Sequence, residues 1–249
     1  MASITTRGTA SSGSSAGSTA GGAGVVERGA DGFSLLAGVS GILWILLLVG
    51  PLFGFGLGPS PTSGPGDVAA YYAQHAAVLQ RIQVLRACST LFFLVFLAGL
   101  WEVLQRQARS AAPALGVVAA GVSVAGIGLV QYAARQAIAL NANRLQDPAV
   151  VQTIRDATNA LDTFSAFPLA VLVGLTSWVL LGSRGGARWI GRAGLLVAVL
   201  LVVGGVGAIS EFLRPLGATG FLVSSVWLLV VAASLLGRGV QARRLAMTR

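Results

Sequence analysis

The chain has 249 residues, of which 55% are hydrophobic and only 10% charged, with a mean hydropathy of +0.79. An ordinary soluble domain carries about 25% charged residues, so this composition excludes a water-soluble globule. The formal charge of +9 does not point to nucleic acid, because the arginines stand at the ends of apolar runs and form no basic stripe. Anionic lipid headgroups are the expected counter-charge.

Every basic residue is arginine, and Ala, Gly and Val are abundant, as in chains encoded by GC-rich bacterial genomes. Cys88 is the single cysteine, so an intrachain disulfide and a cysteine metal site are excluded. Its place inside an apolar run predicts a small core residue.

Residues 1–24 are mostly Ser, Gly, Ala and Thr, too little apolar surface to offset the entropy of ordering them. Residues 1–32 are therefore expected to be a disordered cytoplasmic tail, with no apolar run of a signal peptide. Apolar stretches near the length of about 20 residues that a bilayer core demands then run from Phe33 to Gly56, Ala87 to Leu104 and Pro113 to Ala134. Three more span Phe164 to Leu181, Trp189 to Ser210 and Thr219 to Leu236. The second is short and recruits Arg86 or Arg81 at its outer end. The expected fold is all-α: a polytopic bundle of six transmembrane helices over residues 33–237, followed by a basic cytoplasmic tail, 238–249.

Arginines fix the expected orientation, because cytoplasmic segments retain positive charge. Arg7, Arg28, Arg106, Arg109, Arg184, Arg188, Arg192, Arg238, Arg243, Arg244 and Arg249 fall on one side, and Arg81, Arg86, Arg135, Arg144, Arg155 and Arg214 on the other. Both termini are thereby predicted cytoplasmic. Trp101, Trp178 and Trp189 fall near the inner interface and Tyr71, Tyr72 and Tyr132 near the outer one, where amphipathic rings settle.

The outer connections read as helical extensions. Asp67 is placed to cap a helix that continues unbroken into the second span, and Asp147-Pro148 reads as N-cap and first helical residue. Behind it Val150, Ile154, Ala157, Leu161 and Phe164 recur at helical spacing, predicting a covered stripe in a small extracytoplasmic crown. Small residues four apart, among them Gly50 with Gly54, Gly116 with Ala120, Gly121 with Ala125, Gly194 with Ala198, and Gly204 with Ala208, predict close helix packing within the bundle.

Three stretches together, Asp67-Val-Ala-Ala-Tyr-Tyr-Ala-Gln-His75 after a Pro/Gly-rich loop, the Phe164 to Leu181 span, and Ala187-Arg-Trp-Ile-Gly-Arg-Ala-Gly194, resemble a family of bacterial six-helix membrane proteins of unknown function, common in actinobacteria. The likeness covers most of residues 33–237. It implies a bacterial plasma membrane location and a six-span bundle, and it carries no activity or cofactor with it.

Gly38-Val39-Ser40-Gly41 has the form of an intramembrane protease nucleophile motif, but the single histidine, His75, lies in the outer segment more than half a bilayer away. A packing site is the expected role. No catalytic residue, metal site or cofactor is predicted, since one histidine without Cys or His partners cannot make a standard zinc site. The candidate ligand-binding residues are Arg86, Gln131, Arg135, Asp162, Glu211 and Arg214 at the outer ends of several spans, with His75 beside them. Facing inward, they would suit an anionic or zwitterionic ligand. Facing outward, they would meet headgroups and pair locally. Glu102 and Arg106 form a favourable i, i+4 pair at the inner interface. No charge lies in the middle third of any span, against a midplane ion path.

Three readings follow in order. The first is a non-enzymatic structural, assembly or sensory partner of another membrane protein; the second is a small-molecule or lipid-binding or transport protein using the outer polar set; the third is a membrane-embedded enzyme, for which a base or metal is missing. Membrane lipids are the expected partners throughout, and the oligomeric state is left open.

Overall fold

The computed structural model describes residues 20–55, 59, 63–108, 110–142, 147–183, 187–206 and 214–248. These form six helices and no strand: α1 (Ala20–Phe55), α2 (Pro65–Gln107), α3 (Ala112–Asn141), α4 (Pro148–Leu181), α5 (Ala187–Val206) and α6 (Arg214–Met247). Each contains a segment long and apolar enough to cross a membrane, and the chain is an integral membrane protein. Much of the expected N-terminal tail lies outside the described residues, while residues 20–32 form the first turns of α1. Arg238, Arg243 and Arg244 ride on the last turns of α6.

The helices form a ring in which each packs on its neighbours in sequence, and α6 closes the ring on α1. α2 and α4 also meet across the ring. On α2 the stripe Phe93, Phe96, Leu97, Leu100 and Leu104, spaced by three and four, is buried against the other helices. The outer surface is equally apolar: Leu91, Leu196, Val199, Val226 and Trp189 are all exposed. The interior meanwhile holds Ser89, Thr176, Ser177 and Ser224, the distribution expected where the solvent is hydrocarbon. The hydroxyls of Ser89, Ser177 and Ser224 donate to carbonyls of their own helices, at 2.7, 2.6 and 2.8 Å.

Small residues set how close the helices come. A Cβ on Gly38 would lie 2.6 Å from Leu236 N and 2.9 Å from Ala232 O, and one on Gly204 would lie 2.8 Å from Gly217 Cα. The Gly38 to Gly41 motif is thus a contact between α1, α2 and α6, with Ser40 buried. Gly116, Gly121 and Gly194 are likewise occluded by neighbouring side chains. Gly50 departs from the expectation, for a Cβ there meets nothing within 4 Å, while Gly54 and Ala208 fall outside the described side chains.

Helix length produces the crown. At about 1.5 Å per residue, the 43 residues of α2 extend about 64 Å, twice a bilayer core of about 30 Å. The start of α2, the end of α3 and the start of α4 therefore project together. Val68, Tyr72, Ile138 and Val151 form a second apolar cluster there, and Gln80 Nε2 donates to Ala139 O at 3.2 Å.

Asp147 caps α4 as expected, its Oδ1 accepting from Ala149 N at 2.8 Å with Pro148 in the first helical position. Asp147→Ala should cost about 1 kcal/mol, read as a lower unfolding midpoint of the purified protein. The cap of α2 differs from expectation. Gly64 is the N-cap, followed by Pro65, and Asp67 sits in the first turn without capping.

Three further expectations are corrected. The α4 stripe is covered only in part: Ile154 packs on the crown cluster and Leu161 is half-buried, but Val150 and Phe164 are 42% and 56% exposed, whereas Val151, Arg155 and Thr158 are buried. Cys88 is exposed on α2 rather than in the core. Tyr72 is buried in the crown cluster rather than lying at an interface. Trp178 and Trp189 do project outward at the end opposite the crown, and Arg106 pairs with Glu102 at 2.5 Å as predicted.

Candidate functional site

The crown-side ends of α2, α3 and α4 bring together four of the predicted residues. On α3, Gln131 and Arg135 are one helical turn apart and share a face. On α4, Asp162 and Ser165 do the same, and Ser165 Oγ donates to Asp162 O at 2.6 Å. Arg135 Nη2 donates to Asp162 Oδ2 in an ion pair that ties α3 to α4, with the arginine side chain 17% and the carboxylate 48% exposed. Arg86 approaches from α2, within electrostatic reach of Arg135, Tyr132 and Asp162.

Beneath this cluster lies a cavity of about 60 Å³. Trp44 and Leu48 of α1, Phe93 of α2 and Val124, Ala125 and Gly128 of α3 make its apolar walls, and Thr90, Gln131, Tyr132 and Ser165 supply polar atoms. The Trp44 and Phe93 rings pack at 4.4 Å between centroids, closing the side toward the bundle core. Thr90 Oγ1 donates to Arg86 O at 3.4 Å, so the hydroxyls of Thr90 and Ser165 are engaged with their own helices.

Two buried donors are not engaged. Gln131 is 4% exposed, yet no protein group partners its Nε2, and Arg86 Nε is equally enclosed and unpartnered. A buried donor left unsatisfied costs about 1–3 kcal/mol, and native interiors contain few of them. Both lie at the crown-side cluster, while Gln83, Gln107 and Thr176 carry other unpartnered buried polar atoms elsewhere in the bundle.

The other predicted residues do not join this set. His75 stacks on Tyr71 at 4.5 Å, and its Nδ1–H donates to Tyr71 O at 3.0 Å. It is exposed and precedes Arg86 by eleven residues, about 16 Å along the helix. Glu211 lies outside the described residues, as does the side chain of Arg214, whose backbone opens α6.

Sequence reasoning missed the cavity lining. Tyr132, expected at the membrane interface, lines the cavity beside Gln131, and its adjacency to Gln131 and Arg135 was the available signal. Arg155 is 7% exposed in the crown, where its Nη2 donates to Pro59 O at 2.9 Å and straps the α1–α2 connection to α4. A buried arginine at that position had no local signature.

Removing Asp162 should leave Arg86 and Arg135 as two cations without their carboxylate neighbour. Asp162→Ala is therefore expected to lower the unfolding midpoint of the purified protein at low salt, with part of the loss recovered at high salt.

No family model, no curated protein and no solved structure matches this chain.

Proposed function

We propose that this chain is a multi-pass protein of a bacterial plasma membrane, with both termini cytoplasmic, that binds a small molecule or lipid at its crown-side polar site without chemically transforming it. The carrying observation is that Thr90, Gln131, Tyr132 and Ser165 from three helices line one cavity, with Arg86, Arg135 and Asp162 each one helical turn from a lining residue, the arrangement of a ligand site with few, well-placed polar groups. The orientation is supported by the excess of arginines at the helix ends opposite the crown. The six long apolar helices fit the resemblance to bacterial six-helix membrane proteins. The absence of catalysis is supported by the lone histidine, exposed and distant from the cavity.

A second reading, a sensory or assembly partner of another membrane protein, is supported by Leu140 and Val150, exposed on the crown at 59% and 42%. The two readings are compatible, since a sensor needs both a ligand site and a contact surface.

The test is native mass spectrometry of protein purified from its membrane, comparing the parent chain with the double variant Arg135→Ala, Asp162→Ala. The parent is expected to retain a bound small molecule or lipid that the folded double variant loses. Equal retention by both removes the binding reading.

A further inference from the structure

We infer that the occupant of the crown-side cavity presents a singly charged oxyanion, a carboxylate or phosphate group, to Gln131 and Tyr132, with the positive charge supplied by Arg86, one helical turn from the lining residue Thr90; this rests on the binding reading above. The first ground is charge. Arg135 and Asp162 form an ion pair, so Arg86, Arg135 and Asp162 together carry one net positive charge, and a charge near hydrocarbon is normally matched. One negative charge restores neutrality. A zwitterion would bring a cation as well, whose natural partner, Asp162, is already taken by Arg135.

The second ground is the sense of the hydrogen bonds. A guanidinium offers donors only, and Arg86 Nε has no protein acceptor. The Gln131 Nε2 group is likewise a donor without a partner. The Tyr132 hydroxyl stands over Gly128, where an added Cβ would lie 3.4 Å from it, and so faces the same space. The Thr90 and Ser165 hydroxyls have already given their protons to backbone carbonyls. The buried atoms left unsatisfied here, Arg86 Nε and Gln131 Nε2, are both donors, which calls for an acceptor-rich ligand atom set.

The third ground is size. A cavity of about 60 Å³ accommodates about four or five water-sized groups. That suits the oxygens of a carboxylate or phosphate. The walls formed by Trp44, Leu48 and Phe93 favour an apolar remainder, so the oxyanion could belong to a lipid headgroup or be a free anion.

The experiment uses the full chain in phosphatidylcholine nanodiscs. One arm adds phosphatidylglycerol, a second adds inorganic phosphate or acetate, and a third adds neutral diacylglycerol. Bound species are counted by native mass spectrometry, and the unfolding midpoint is recorded for each arm. The expected result is one retained phosphatidylglycerol, or a midpoint raised by the free anions, with neither effect from diacylglycerol. The first outcome identifies a lipid source and the second a free one. Arg86→Gln should weaken the binding by about tenfold to a hundredfold, whereas Arg188→Gln, an exposed arginine at the opposite end, should leave it unchanged. Should Arg86→Gln not fold, Gln131→Leu and Tyr132→Phe are read in its place. Equally tight retention of phosphatidylcholine or diacylglycerol, lost in Gln131→Leu, overturns the charge assignment while leaving the binding reading intact. No retained species in any arm overturns both. Equal weakening by Arg188→Gln overturns the site, since general attraction of anions to the basic protein would then account for the binding.

Discussion

Gly38→Leu is expected to separate α1 from α6 and to destabilise the bundle by about 3 kcal/mol. At this position the obstacle is backbone, with Leu236 N and Ala232 O within 2.9 Å of where a Cβ would stand. Side chains can rotate away from an intruding group, but a neighbouring helix must shift as a body, and α6 is held by α5 on its other flank. Reversible unfolding of the purified chain in mixed micelles measures the effect. Gly50→Leu is the control: a Cβ there meets nothing within 4 Å, so an unchanged midpoint is expected. Equal losses from both substitutions would mean that the cost arises from glycine replacement in general and not from the α1–α6 contact.

Trp227→Ala is expected to cost about 2–3 kcal/mol, less than the roughly 3–5 kcal/mol of a comparable change in a soluble core. The side chain is 5% exposed and its ring packs over Gly194, where a Cβ would lie 2.6 Å from ring atoms. Its Nε1 donates to Ile190 O at 2.9 Å, so one residue joins α6 to α5 by packing and by a hydrogen bond. In a bilayer the unfolded reference already surrounds an indole with hydrocarbon, so the transfer part of the loss vanishes, leaving dispersion contacts, the hydrogen bond and the void. Trp227→Phe separates these contributions. It keeps most of the ring and should lose only about 0.6 kcal/mol, the usual worth of an interhelical hydrogen bond in a membrane. A phenylalanine variant as unstable as the alanine one would place the main contribution in the hydrogen bond.

The candidate site was partly legible from sequence because charge is rare in this chain. Arg86, Arg135 and Asp162 stand out at the ends of apolar runs, and their position alone predicts that they share a level relative to the membrane. That Arg135 pairs with Asp162 across α3 and α4 follows from helix rotation, which those runs do not encode. Thr90 and Ser165 were invisible because hydroxyls are common in membrane helices and bond to their own backbones. His75 was grouped with the set from its nearness in sequence, whereas a continuous α2 carries it about 16 Å away.

The length and spacing of the apolar runs determined by themselves that this chain forms six membrane-crossing helices, since a helix is the structure that satisfies every backbone group within one segment in hydrocarbon. The excess length of α2 was equally legible, because no glycine or proline interrupts residues 68–98. Which face of each helix turns inward was decided only by the tertiary structure. In water, apolar periodicity marks the buried side; with lipid outside, both sides are apolar and the pattern loses its meaning. Cys88, Val150 and Phe164 consequently lie outside, while Ser177, Thr176 and Gln131 lie within. Close packing of small residues, a property of the assembled ring, made that choice.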